Sequence, residues 1–163
     1  MQKIVIYKVL WYIIRMKKVV LYTDGACSYN PGPGGWGCVL EYKGKTKELS
    51  GFNPNTTNNQ MELTAIIEGL KAIKESCVVE IYSDSAYVVN AFLNDWITDW
   101  QLRGWKNAQK KPVKNPELWQ ELISLVQKHQ VVWNKVKGHA GVELNERCDE
   151  LATGEIEKNK PND

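Results

Sequence analysis

The sequence predicts an α/β domain built on a mixed sheet, and two observations predict it. Residues 19–24, 36–42 and 45–52 are short β-rich runs joined by turn residues, which is typical of antiparallel strands. Two further strand patterns, at 78–84 and 131–136, alternate with helical patterns, which favours parallel strands and right-handed crossovers. A chain of 163 residues suits one domain with its own core.

The two ends of the chain differ in composition from the middle. Residues 1–15, MQKIVIYKVLWYIIR, are apolar and lightly basic. No small-residue cleavage site follows them, and they are shorter than the roughly 20 residues of a membrane span. We therefore expect an extension outside the domain, although packing as an extra strand remains an alternative. The domain is expected over 16–154, and the polar tail 155–163 is expected to fray.

Charge and cysteine content restrict the function classes only weakly. A net charge of +2 does not by itself indicate a nucleic-acid partner. None of the cysteines has C-x-x-C spacing, so neither a zinc site nor a redox pair is indicated. Scattered cysteines of this kind fit small buried side chains in a reducing cytosol, without excluding disulfides.

Basic and aromatic residues are interleaved in one segment, residues 96–114. Its basic residues are Arg103, Lys106, Lys110, Lys111 and Lys114, and its tryptophans are Trp96, Trp100 and Trp105. One interpretation is a helix with tryptophans packed inward and charges in solvent. The other is a protrusion that binds a nucleic-acid backbone.

Glycine and proline dominate residues 25–35, which predicts a loop rather than a central strand. The segment lacks the P-loop pattern, so a nucleotide-binding loop is not indicated. A wide hairpin turn is one interpretation. A glycine surface that admits a nucleic-acid backbone is the other.

The helix after residue 56 has a clear start signal. Thr57 and Gln60 match a capping box, and Leu63, Ile66 and their successors form an apolar stripe. Glu62 is expected in the first turn, where flanking core positions would aim it at the sheet. Ser85 is predicted to cap the helix after the fourth strand.

Four acidic residues lie at the ends of predicted strands or beside the apolar stripes of predicted helices. They are Asp24, Glu62, Asp84 and Asp149. At one rim of a sheet such carboxylates would repel one another and raise their own pKa values unless cations neutralised them. Oxygen ligands select hard cations, and two Mg²⁺ ions about 3.5–4 Å apart could drive an in-line phosphodiester displacement. His139, between glycines, would titrate near ~6.5 and could carry a proton.

The motifs that contain these residues closely resemble those of bacterial type 1 ribonuclease H. They are YTDG at 22–25, NPGPGG at 30–35, TNNQMEL at 57–63, SDSAYV at 83–88, GWK at 104–106, KGHAG at 137–141 and NERCDE at 145–150. The resemblance runs in order from about Met16 to about Ala152. The motifs are specific as a set, and of the single segments only the block from KGHAG to NERCDE is specific by itself.

This resemblance implies a ribonuclease H-like fold with a five-stranded mixed sheet, its first three strands antiparallel and helices on both faces. It implies endonucleolytic hydrolysis of the RNA strand of RNA–DNA hybrids, leaving 3′-hydroxyl and 5′-phosphate ends. The four carboxylates would hold two Mg²⁺ ions, with Mn²⁺ as an alternative, and His139 would be the auxiliary proton carrier. A cytoplasmic monomer with no membrane partner is expected.

The resemblance also implies a set of substrate-binding residues. Asn30, Asn58 and Asn59 would meet the minor groove of the hybrid, where 2′-hydroxyls are displayed. Thr57 and Asn115 would form part of a DNA-phosphate pocket. The remaining members are Trp96, Trp100, Lys110, Lys111 and Lys114 of the basic protrusion, together with Asn145.

Three departures from the family pattern bear on the substrate but remove no metal ligand. Ala86 replaces a frequent glutamine, Asn55 replaces a frequent arginine, and residues 1–15 have no counterpart. A catalytically weak hybrid-binding module of the same fold is the alternative function. An integrase-like nuclease is a second alternative, but it would lack the KGHAG and NERCDE motifs.

Overall fold

The computed structural model describes residues 2–137 and 142–161. In this part of the chain a mixed sheet has the order β3-β2-β1-β4-β5. Its strands are β1 Lys18–Cys27, β2 Gly32–Tyr42, β3 Lys45–Thr56, β4 Val78–Ser83 and β5 Gln130–Lys135. The first three strands pair antiparallel, whereas β4 pairs parallel with both β1 and β5. The predicted sheet is confirmed.

The helices are α1 Gln2–Arg15, α2 Asn58–Lys71, α3 Ala86–Leu93, α4 Trp96–Leu102, α5 Pro116–Val126 and α6 Glu143–Lys158. Of these, α2 and α6 pack against opposite faces of the sheet. A Cβ added at Gly25 of β1 would lie 2.5 Å from the backbone nitrogen of Glu62 in α2. A Cβ added at Gly35 of β2 would lie 2.1 Å from the carbonyl oxygen of Ala152 in α6. Both helices therefore approach the sheet at glycines.

The core lies between the sheet and the helices α2, α3 and α5. Its fully buried members include Leu21, Leu63, Ile66, Leu70, Val79, Ile81, Val88, Trp119 and Leu122. Each buried aliphatic side chain of this size stabilises the fold by about 1.5–3 kcal/mol relative to an exposed one. The core holds α2, α3 and α5 in fixed positions relative to β1 and β4.

The glycine-rich segment differs from its prediction. Strand β1 continues to Cys27 and β2 begins at Gly32, so only four residues separate the strands. The glycines of β2 are needed for close packing: a Cβ at Gly34 would lie 2.4 Å from the Cγ2 of Thr56. The prediction of a loop over 25–35 was wrong because glycine in a strand can also mark close approach of another element.

Both predicted helix starts are confirmed, but the capping box is only half formed. The Oγ1 of Thr57 accepts from the backbone N–H of Gln60, and the Oγ of Ser85 accepts from that of Val88. The side chain of Gln60 does not return to the N-cap. It accepts instead from the Oγ1 of Thr56 and donates to Asn115.

The ends of the chain are more helical than the sequence predicted. Residues of α1 expose large apolar side chains, including Tyr7 and Ile14, and α1 adds no strand to the sheet. At the other end α6 continues to Lys158, with Ile156 buried and Glu155 accepting from the Oγ of Ser50 at 2.8 Å. The start of the tail is therefore packed rather than frayed. Within the described residues, no helix combines the length and the apolar character needed to cross a membrane.

Candidate active site

The first carboxylate, Asp24, lies in β1 just beyond the end of the parallel pairing with β4, where the antiparallel pairing with β2 continues. The parallel ladder between β1 and β4 ends at the pair Tyr22–Tyr82. The antiparallel ladder between β1 and β2 continues past Asp24 as far as Cys27. The sequence predicted that β1 ends at Asp24, and this is wrong, because the strand continues to Cys27. Asp24 lies beyond the last parallel pair, on a backbone that β2 still holds.

Glu62 is placed against Asp24 by the missing side chain of Gly25. Because Gly25 has no Cβ, the backbone of Met61 and Glu62 can pack directly on β1. Glu62 is the fifth residue of α2, just past the first turn in which it was predicted, and only 5% exposed. The predicted orientation toward the sheet is confirmed.

Asp84 follows the last residue of β4 and precedes the N-cap of α3. The backbone N–H of Ser85 donates to the Oγ of the buried Ser83 at 3.1 Å, which fixes the turn around Asp84. Carboxylate oxygens of Asp24, Glu62 and Asp84 all lie within 4.8 Å of one another. Three of the four acids singled out in the sequence are therefore brought together as one cluster.

The fourth acid, Asp149, lies on α6 at the edge of this cluster. It lines the same cavity as Asp24 and Asp84, and its charge contributes to raising the pKa of Asp24. Asp149 is not within the 4.8 Å group. The cavity therefore has three acids packed together on the sheet side and one facing them from α6.

The electrostatics of the cluster favour a cation. Burial, and then the charge of Asp84, raise the pKa of Asp24 to about 7, although the backbone N–H of Gly25 donates to Asp24 at 2.9 Å. Burial and the charges of Asp24 and Asp84 hold the pKa of Glu62 well above its usual range. The Oε2 of Glu62 is buried and has no hydrogen-bond partner among the described residues. A divalent cation would replace this repulsion by attraction and coordinate that oxygen.

Asn145 enters the cavity from the first turn of α6. Its Nδ2 donates to the carbonyl oxygen of Tyr82 at 3.1 Å and to that of Thr23 at 3.5 Å. The side chain lies at the cavity wall between the strand ends that precede Asp24 and Asp84. The sequence assigned this residue to the substrate, and it did not indicate these backbone contacts.

The three asparagines assigned to the minor groove of the hybrid lie together at the N-terminus of α2. The backbone N–H of Asn58 donates to the Oδ1 of Asn30 at 3.1 Å, which joins the β1–β2 turn to the helix. Asn30, Asn58 and Asn59 are all exposed. The hydroxyl of Thr57, beside them, is occupied by the helix cap.

Asn115 is held by two residues that no sequence pattern connects with it. Its Oδ1 accepts from the Nε2 of Gln60 at 3.1 Å, and its Nδ2 donates to the hydroxyl of Tyr87 at 3.1 Å. The Nε1 of Trp119 donates to the same hydroxyl at 3.0 Å. Only Gln60 carried a local signal, the capping box, and that signal pointed to a different partner.

The structure of the 96–114 segment confirms the inward packing of some of its tryptophans. The ring of Trp100 packs edge-on against Trp119 at 5.1 Å and contacts Trp105 at 6.4 Å, as inward packing predicts. Trp96 is 41% exposed. The three lysines of the segment that were assigned to the substrate are exposed: Lys110, Lys111 and Lys114. The segment is thus anchored by aromatic rings and presents its charges to solvent.

His139 lies outside the described residues. The nearest described residues on either side, Lys137 and Val142, both line the cavity that contains Asp24.

A mixed sheet that presents clustered carboxylates at one edge, with a further acid facing them from a helix, defines a class of metal-dependent phosphodiester hydrolases. Comparisons with known proteins specify the class. Residues 16–157 match the RNase H family model. The ribonuclease H of Symbiobacterium thermophilum is 60% identical over 141 residues, which cover 86% of this chain and 96% of the relative. That of Acetivibrio thermocellus is 59% identical over 144 residues, covering 88% and 98%.

Solved structures give the same result. LC9-RNase H1, described as a type 1 RNase H with the type 2 active-site motif, matches with a TM-score of 0.79 and 34% identity over 89% of this chain and 74% of that one. LC11-RNase H1 in complex with an RNA/DNA hybrid matches with a TM-score of 0.61 and 25% identity, covering 86% and 97%. The chain belongs to the ribonuclease H family. Family and acidic cluster together support dependence on a divalent metal ion.

Proposed function

We propose that this protein hydrolyses the RNA strand of RNA–DNA hybrids endonucleolytically, leaving 3′-hydroxyl and 5′-phosphate ends. The observation that carries the proposal is the cluster of Asp24, Glu62 and Asp84 within 4.8 Å, in a chain of this family. The relative LC11-RNase H1, solved with an RNA/DNA hybrid, supports the choice of substrate.

The acids have the role of metal ligands in this proposal. Asp24, Glu62, Asp84 and Asp149 would hold two Mg²⁺ ions, because oxygen-only ligand sets favour hard cations. Such a pair supplies an activated water and stabilises the leaving oxygen of an in-line displacement. Mn²⁺ is the alternative ion. His139 is proposed as the auxiliary group that carries a proton.

The substrate surface extends from this cluster in two directions. The exposed asparagines Asn30, Asn58 and Asn59 would contact the minor groove of the hybrid, where the 2′-hydroxyls of RNA are exposed. Thr57 and Asn115 would contact a phosphate of the DNA strand. The basic protrusion would follow the backbone through Trp96, Trp100, Lys110, Lys111 and Lys114.

The catalytic domain is proposed to begin at residue 16, with α1 outside it. We extend its C-terminal boundary beyond residue 154, because Ile156 is buried and Glu155 bonds to β3. The protein is proposed to act as a cytoplasmic monomer. Its four cysteines are free, and three of them are buried, which fits a reducing compartment.

The test is cleavage of a labelled RNA–DNA hybrid with Mg²⁺, beside reactions with EDTA, single-stranded RNA and duplex DNA. The wild-type protein should cut the RNA strand of the hybrid alone, and only with metal. Asp24→Asn should lower the rate by about 1,000-fold or more, roughly the effect of removing one strong charge interaction from a transition state. The control is Glu75→Gln, which also removes one negative charge, at an exposed residue that does not line the cavity; it should cleave like the wild type.

Other outcomes point elsewhere. If the wild-type protein binds the hybrid but does not cut it, the alternative of a hybrid-binding module is supported. If Asp24→Asn retains the wild-type rate, the metal assignment is wrong.

A further inference from the structure

Asn145 makes contacts that a substrate-binding side chain does not need. It is the third residue of α6, a helix whose N-cap, Val142, offers no side-chain hydrogen bond. The Nδ2 of Asn145 instead bonds to two backbone carbonyls of the sheet, those of Tyr82 and Thr23. One amide therefore joins α6 to β4 and β1 at once.

The two carbonyls flank the acidic cluster. Thr23 immediately precedes Asp24, and Tyr82 lies two residues before Asp84. The parallel ladder between the strands has its last pair at Tyr22–Tyr82. Asn145 thus supplies a hydrogen-bond donor where that ladder ends, and it connects the backbone segments that carry two of the acids.

The same helix carries the fourth acid. Asp149 is four residues after Asn145, so both side chains lie on one face of α6, about one turn apart. Other contacts hold later turns of α6: Cβ atoms added at Gly35 and Gly37 would meet the carbonyl oxygens of Ala152 and Cys148, and Arg147 donates to the carboxylate of Glu48 in β3. Among the described hydrogen bonds, those of Asn145 join the first turn of α6 to β1 and β4.

We propose that Asn145 is a positioning residue, which holds Asp149 facing Asp24 and Asp84 rather than contacting the substrate. This inference rests on the proposed function, since it gives Asp149 a role in metal binding. The chemistry of the side chain fits: only an amide of this size can donate to two carbonyls without adding charge. A carboxylate of the same shape would repel both carbonyls and the nearby acids.

Kinetics of Asn145→Ala separate the two roles of this residue. A displaced Asp149 should lower kcat about 10- to 100-fold, the usual range for removing a residue that orients a metal ligand. The KM for the hybrid should change by less than about twofold, because a positioning residue makes no ground-state contact with the substrate. Asn145→Asp keeps the shape but lacks the donors, so it should be at least as impaired. Calorimetric titration with Mg²⁺, without substrate, should show weaker binding by both variants.

Asn159→Ala is the matched control. Asn159 lies at the end of the same helix, and its Nδ2 also donates to a backbone carbonyl, that of Glu155, at 2.8 Å. This variant should keep the wild-type kcat and Mg²⁺ affinity, even if its thermal stability falls as much as that of Asn145→Ala.

Two results would overturn the positioning role. A raised KM with unchanged kcat would make Asn145 a substrate contact. If Asn145→Ala binds Mg²⁺ as tightly as the wild type and loses activity only in proportion to the fraction unfolded, Asn145 is a general structural contact. Failure of the proposed function looks different, because the wild-type protein itself would then bind the hybrid without cutting it.

Discussion

At the scale of single residues, the acids of the cavity oppose the folded state when no cation is bound. Glu62 is buried and Asp24 is half-buried, and this burial together with the charge of Asp84 raises the pKa of both carboxyls. Their contribution to stability therefore depends on pH and on metal. Asp24, whose pKa is raised from 3.8 to about 7, makes the effect measurable.

We predict that Asp24→Asn stabilises the metal-free protein at pH 8. A carboxyl whose folded pKa exceeds its unfolded value favours folding below about pH 4, and this contribution disappears as the pH rises through about 7. One pKa unit corresponds to about 1.4 kcal/mol, so a gain of about 2–4 kcal/mol, or roughly 5–10 °C in Tm, is expected.

Thermal unfolding in EDTA at pH 8 and pH 4 measures this prediction. The difference between Asp24→Asn and the wild type should nearly vanish at pH 4, where the charge on Asp24 is largely neutralised. Equal melting temperatures at pH 8 would show that the cluster does not destabilise the metal-free fold. With Mg²⁺ present the wild type should recover more stability than the variant, because it keeps the ligand charge.

The acids could be found from the sequence because each follows a strand signal or a helix start. What holds the neighbouring polar residues could not be found in this way. The chain of hydrogen bonds from Gln60 through Asn115 to Tyr87 joins residues from three helical regions that are distant in sequence. No local pattern encodes such a pairing. The same holds for the contacts of Asn145 with Thr23 and Tyr82.

At the scale of secondary-structure elements, glycines determine how closely the helices approach the sheet. We predict that Gly35→Ala destabilises the fold by about 1–3 kcal/mol or more, because the new Cβ would lie 2.1 Å from the carbonyl oxygen of Ala152. Since the obstacle is backbone, α6 itself has to move. Urea unfolding measures the change, and Asp149 on the same helix should bind metal more weakly.

Gly154→Ala is the matched control for this prediction. Gly154 lies inside α6, and a Cβ added there would have no neighbour within 4 Å. The variant should be more stable than the wild type by about 0.5–1 kcal/mol, since alanine restricts the unfolded chain and favours helix. Equal effects of the two substitutions would show that close packing is not what requires glycine at position 35.

The elements themselves were largely predictable from the sequence. Periodicity and capping residues located α2 and α3, because those signals are local. The strand ends around 25–35 were not predictable, because Gly34 and Gly35 resemble turn residues until α6 and Thr56 are known to pack against them. The extent of α6 was underestimated because the buried Ile156 is a single apolar residue among polar ones.

At the scale of the whole molecule, the net charge does not indicate a nucleic-acid partner, but the distribution of the basic residues favours one. The lysines of the basic protrusion are exposed on a loop that is anchored by Asn107, whose Oδ1 accepts from the backbone N–H groups of Gln109 and Lys111. A loop held in this way presents its charges as a fixed surface. Such a surface is suited to follow a nucleic-acid backbone.

We predict that replacing Lys110, Lys111 and Lys114 by Gln weakens hybrid binding and makes it less dependent on salt. For every phosphate that the variant no longer neutralises, the slope of log K against log salt should fall by about 1. Fluorescence anisotropy over a salt series measures this slope.

The matched control replaces three exposed lysines of the β2–β3 turn region by Gln. They are Lys43, Lys45 and Lys47, of which Lys43 has a positive φ like Lys110. This control should bind the hybrid with the wild-type salt slope. An unchanged slope in the variant of the basic protrusion would mean that its lysines face solvent and do not contact the hybrid.

The packing of α6 on β1 and β2 has a consequence for biosynthesis. Strand β1 leaves the ribosome well before α6, which covers it and carries Asp149. Asp149 therefore joins Asp24, Glu62 and Asp84 only after α6 has been made and has packed on the sheet. A nascent chain thus lacks a complete site until that late packing step.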